Sequence, residues 1–110
     1  MIDWDRIAEL RHELGDDVFG EVVDLFLIEV DDVIDRLRRT PNPDLFEEDL
    51  HFLKGSALNL GFTRMSEICL HGEKAAAAGN SDIVDLPALL QVYDASRQEF
   101  LSRAGVNDAA

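Results

Sequence analysis

Apolar residues recur every three or four positions along nearly the whole chain, and no stretch alternates with the two-residue period of a strand. The pattern predicts an all-α fold with five helices. Asp3 is placed to cap a short first helix that runs to Leu14 and ends at Gly15. A long second helix begins at Asp16 or Asp17 and carries a stripe of Phe19, Val23, Phe26, Val30, Val33 and Leu37. Arg36, Arg38 and Arg39 fall in its last turn, where the macrodipole favours cations. Pro41 and Pro43 end it, and Asn42 with Pro43 opens the third helix, which stops near Gly61. Thr63 is the expected cap of the fourth, which runs to Ala78 before Gly79 and Asn80. The fifth spans about residues 86–103, with Asp85 and Pro87 at its start and Leu86, Leu89, Tyr93 and Phe100 as its stripe; residues 104–110 read as a frayed tail.

The long helices are joined by only a few residues each, so neighbours should run antiparallel. The expected architecture is an antiparallel up-down-up-down four-helix bundle with the short N-terminal helix laid across it. Gly72, Ala75, Ala76 and Gly79 give the fourth helix a small-residue face suited to close contact. No repeat, low-complexity tract or linker divides the chain, so residues 1–110 are read as one domain with a core from about 3 to 103. One group does not fit a single seam: Val18, Leu25 and Ile28 lie roughly 100–180° from the core stripe of the second helix. Either they bury the first helix through Ile7, Leu10 and Leu14, or they form an exposed apolar surface for a partner.

The third helix places a reactive side chain away from its core. With Phe46 at zero and about 100° per residue, Phe46, Leu50, Leu53, Ala57 and Leu60 share a stripe roughly 80° wide. His51 lands at about 140°, on the solvent side, with Lys54 at about 80° and Gly55 at about 180°. Glycine within a helix costs ~1 kcal/mol relative to alanine, and packing does not ask for it on a wet face. Its consequence is close approach by something large beside His51. Lys54 is a point charge able to steady a phosphoryl group, and imidazole is a neutral nucleophile near pH 7 that can carry a group on nitrogen. His12 and His71 lack a following Lys-Gly pair and read as ordinary surface residues. Glu47, one turn before His51, is spaced either to bond the imidazole or to form a capping box with Asp44.

His51, Lys54, Gly55, Ser56, Asn59 and Gly61 together resemble the signature of the histidine-containing phosphotransfer (HPt) domain, commonly His-x-x-Lys-Gly followed by a small residue and a later glycine. Phe62 stands where a smaller residue is more usual. The resemblance covers nearly the whole chain. It implies that His51 is phosphorylated from the aspartyl phosphate of a receiver domain in a two-component phosphorelay and passes the group reversibly to another receiver. It also implies response-regulator receivers or a hybrid sensor kinase as partners, docking around His51 on surfaces of the first three helices. The Mg²⁺ for the reaction would sit on the receiver.

Composition narrows this further. The formal charge is −13, from 23 acidic and 10 basic residues, which lacks the basic footprint of a nucleic-acid binder. Residues 1–50 hold 16 acids against 5 bases, whereas residues 51–74 hold 2 acids against 3 bases, sparing an incoming phosphoryl group much repulsion. The single cysteine, Cys69, lies on an apolar stripe and reads as a buried inert thiol, and no metal ligand set is spaced around His51. The seven glycines are dispersed, without the phosphate cradle of a kinase, so the chain is expected to be a phosphorylated intermediate and not an enzyme with its own nucleotide site. No leader or membrane span is evident, so a free-standing, monomeric, cytoplasmic protein without cofactor is expected. A phosphotransfer domain excised from a larger kinase is the variant of that reading. The alternative of a different kind is a non-catalytic HPt-like helical adaptor, which the intact His51, Lys54 and Gly55 disfavour.

Overall fold

A computed structural model describes residues 1–103, and the regular elements among them are all helical: α1 (Trp4–Leu14), α2 (Asp16–Arg39), α3 (Phe46–Leu60), α4 (Thr63–Ala77) and α5 (Leu86–Arg103). A 3₁₀ turn, Pro43–Leu45, leads directly into α3, and another, Ser81–Ile83, lies between α4 and α5. The expected frayed tail at 104–110 lies outside the described residues.

Local chemistry explains most of the boundaries. The Asp3 carboxylate accepts from the Arg6 N–H at 3.2 Å and starts α1, and Asn42 accepts from the Asp44 N–H at 3.1 Å and starts the turn before α3. Asp85 does the same for α5, accepting from the Ala88 N–H at 3.1 Å. Thr63 does not cap α4. Its hydroxyl donates to the Met1 carbonyl at 3.0 Å, and the residue before the helix is the buried Phe62.

The core joins all the long helices. From α3 it takes Phe46, Leu50, Leu53, Ala57 and Leu60, the stripe expected from periodicity. From α5 it takes Leu89, Tyr93 and Phe100, and from α4 Met65 and Cys69, with Gly72 buried beside Leu50. On α2 the buried residues are Phe19, Val23, Leu27, Val30, Ile34 and Leu37. Leu27 and Ile34 thus replace Phe26 and Val33, which are only partly buried. The seam of α2 is turned toward α5, because Asp31 on that flank receives Arg97 at 2.9 Å and the Tyr93 hydroxyl. On its other flank Arg36 grips the buried Asp49 of α3 through two hydrogen bonds of 2.8 Å.

The α1 helix packs against α2 and α3 and leaves Val18, Leu25 and Ile28 of α2 exposed. Trp4 stacks on Phe100 at 6.3 Å between ring centres and carries the Arg103 guanidinium over its ring, 4.7 Å from the centre, while Ile7 enters the core. The segment before α1 is tied to the α3–α4 turn, with the Asp3 N–H donating to the Gly61 carbonyl at 2.7 Å. Gly61 has φ +75°, and a Cβ there would stand 2.8 Å from the Asp3 carbonyl oxygen, so both its conformation and the chain crossing it require glycine. Val18, Leu25 and Ile28 therefore do not bury α1; they are 45, 58 and 68 % exposed.

Candidate functional site

Helix α3 presents His51 to solvent, with its side chain 70 % exposed, and α4 supplies what holds it. The ring nitrogen Nδ1 lies 2.7 Å from Oε2 of Glu73. The other carboxylate oxygen of Glu73, Oε1, accepts from Nζ of Lys54 at 2.6 Å. Lys54 and Glu73 are 23 and 18 % exposed, so the carboxylate is a sheltered group shared between a cation and the imidazole. Gly55 stands on the solvent face of α3, and a Cβ added there would meet no atom within 4 Å. Ser56 is buried and Asn59 exposed.

The protonation pattern follows from the network. The Lys54 ammonium, and after it His51, hold the Glu73 carboxyl below its ordinary pKa, against the opposing effect of burial. An ionised carboxylate can only accept hydrogen bonds. Nδ1 must therefore carry the proton and donate it to Glu73, and in a neutral imidazole that leaves the lone pair on Nε2. This tautomer is assigned from the hydrogen bonding. The arrangement is a fixed ring with a nucleophilic nitrogen free, next to a helix surface without side-chain cover.

The structure thus brings His51 and Lys54 together through a residue that the motif does not contain. Glu47 is exposed and does not take the role; the carboxylate at the ring is Glu73. The sequence carries only an indirect signal for it. Glu73 sits one turn after the apolar Cys69 and next to the small Gly72, on a helix expected to press closely on its neighbour. Lys54 is correspondingly committed to Glu73. Cys69 is fully buried beneath the pair, and burial pushes its thiol up to about 12, which makes it inert. His12 and His71 are exposed on other surfaces. Among the described residues no group of three or more His, Cys, Asp or Glu side chains converges as a metal site, and no helix is long and apolar enough to cross a membrane.

The sequence pattern of one protein family, the Hpt domain, matches residues 21–99. No curated protein and no solved structure matches the chain. The match takes in α2 from Glu21 onward, α3 and α4 entire and all but the last turn of α5, and it contains His51 together with both residues of the network that holds it. The chain belongs to the Hpt domain family, whose members carry phosphoryl groups on histidine in phosphorelays.

Proposed function

We propose that the chain is a phosphocarrier in which Nε2 of His51 takes a phosphoryl group from the aspartyl phosphate of a receiver domain and returns it to another. The Nε2 lone pair forms the P–N bond as the acyl P–O bond breaks, and the receiver's carboxylate leaves with that electron pair. The proton stays on Nδ1, so the phosphorylated ring is cationic, and Glu73 faces that charge. In the reverse step the same protonated ring is a good leaving group, and P–N cleavage returns a neutral imidazole. One carboxylate thus serves both directions, as a reversible carrier needs. Lys54 holds Glu73 ionised and in place, and Gly55 leaves room for the receiver. Mg²⁺ would be brought by the receiver, where it neutralises charge on the phosphoryl group in transit.

The observation that carries this reading is the 2.7 Å contact between Nδ1 and Glu73 on a ring that is otherwise open to solvent. The short connections between α2, α3, α4 and α5 support an antiparallel up-down-up-down bundle acting as one domain over residues 3–103. A monomeric cytoplasmic carrier working between receivers, or between a hybrid sensor kinase and a receiver, fits these features. Short-time phosphotransfer profiling against the receivers of the source organism is the test. The reading expects label to pass from at least one phosphorylated receiver to the chain and onward to another. Failure of every receiver to label it would leave the non-catalytic adaptor.

A further inference from the structure

A groove of about 440 Å³ lies between α4, the Ser81–Ile83 turn and the start of α5. Gly72 and Ala75 of α4 and Ala88 of α5 line it and are too small to fill it, while Leu50, Ile68 and Leu89 make it apolar. Its volume falls within the range of roughly 300–1,000 Å³ for small-molecule sites. A partner's helix, about 10–12 Å across, needs more room. The polar groups at the groove are Arg64 and His71 on α4 and Asp85 before α5. Asp85 follows Val84, whose Cγ1 stands 3.5 Å from the place a Cβ on Gly72 would take. Arg64 lies eight residues before Gly72, about 12 Å back along α4. The groove therefore has a cationic end and an anionic end.

The two ends differ in what they can offer a ligand. Asp85 already caps α5, accepting from the Ala88 N–H at 3.1 Å. Arg64 holds only Glu67, at 3.2 Å between side chains 58 and 62 % exposed, and an exposed pair of that kind contributes little and exchanges readily. We propose that the groove is a binding site for a small aliphatic carboxylate, with its head on Arg64 and its tail laid over Ile68 toward Gly72 and Ala75, and that occupancy is felt at His51. The reverse orientation would set the carboxylate against Asp85. The link to His51 is steric. Leu50 and Gly72 each precede a member of the phosphotransfer network, His51 and Glu73, and α3 meets α4 there without slack, since a Cβ on Gly72 would stand 2.8 Å from Cδ1 of Leu50. Close packing of that kind passes a displacement on. The groove is independent of the phosphotransfer reading; only the significance of its effect on His51 rests on it.

The test titrates octanoate into the isotope-labelled full chain and follows its nuclear magnetic resonance spectrum, with n-octanol and n-octylamine as the neutral and cationic controls. Octanoate should give saturable shifts of the amides of residues 68–75 and 83–89 and of the His51 ring. Octanol and octylamine should bind about tenfold or more weakly, for want of the charge-assisted contact to Arg64. Arg64→Gln should weaken octanoate about tenfold, to the level of octanol, and leave octanol as it was. Ala75→Leu should abolish binding of both by filling the groove. Arg64 is exposed and outside the core, so its variant carries the test even where Ala75→Leu does not fold. No saturable binding at millimolar octanoate, equal or tighter binding of either control, shifts that map elsewhere, or a His51 ring that does not respond would each overturn the proposal. No receiver takes part, so this result and a failure of phosphotransfer are read separately.

Discussion

Replacing Glu73 with glutamine keeps the length of the side chain and removes the charge that fixes the His51 tautomer. An amide can donate to Nδ1 as readily as accept from it, so the proton is free to move to Nε2 and occupy the nucleophilic position. Glu73→Gln should slow phosphoryl acceptance about 10- to 100-fold, the range for a group that orients a working histidine, measured by single-turnover transfer from a phosphorylated receiver. Lys54→Ala should act through the same carboxylate. Its effect combined with Glu73→Gln should fall well short of the product of the two single effects, whereas independent roles would multiply. The pH dependence has a definite sign. Lys54 and His51 depress the Glu73 pKa, so its stabilising contribution is complete above its unfolded value of about 4.3 and is lost as pH falls through the folded value. Denaturation measured between about pH 3 and 6 should show wild-type stability falling at the acid end, with a shallower fall in Glu73→Gln. His51 and its exposure were legible because the motif and the helical period are local. Glu73 was not, because which flank of α4 faces α3 depends on packing between residues 22 positions apart.

Three glycines separate functional from structural constraint at the level of the helices. At Gly55 a side chain meets nothing within 4 Å, so Gly55→Gln should raise stability by about 0.5–1 kcal/mol through helix propensity while slowing transfer by obstructing the receiver. At Gly72 a Cβ would lie 2.8 Å from Cδ1 of Leu50, so Gly72→Ala should destabilise by about 1–3 kcal/mol through overpacking between α3 and α4. At Gly61 the positive φ alone costs about 1–2 kcal/mol for any other residue, and α1 would be pushed from its place as well. Thermal or urea denaturation of the three variants reads these signs directly. Arg36→Ala belongs to the same scale. It would leave the Asp49 carboxylate, 6 % exposed, without its bidentate partner and should cost about 1–3 kcal/mol. Helix ends at Asp3, Asn42, Asp85 and Gly61 were readable because caps use neighbouring residues. The seat of α1 was not readable, since it rests on Trp4 meeting Phe100 and on Asp3 crossing Gly61, contacts that no local pattern encodes. The rotation of the α2 seam has the same origin in the Asp31 contacts to α5.

At the scale of the whole molecule, charge is spread unevenly along the sequence. Of the 23 acids, 16 lie in residues 1–50, and the segment from His51 to Lys74 holds 2 acids against 3 bases. One of those acids, Glu73, is already paired with Lys54. The central claim is that His51 is the phosphoryl acceptor. It is tested most directly by labelling the chain from a phosphorylated cognate receiver and mapping the modification by mass spectrometry without acid, beside the His51→Gln variant. The account predicts a base-stable, acid-labile phosphoryl group on His51 alone, and an unlabelled His51→Gln protein with unchanged helical content. Label on any other residue, or label persisting in His51→Gln, would contradict it.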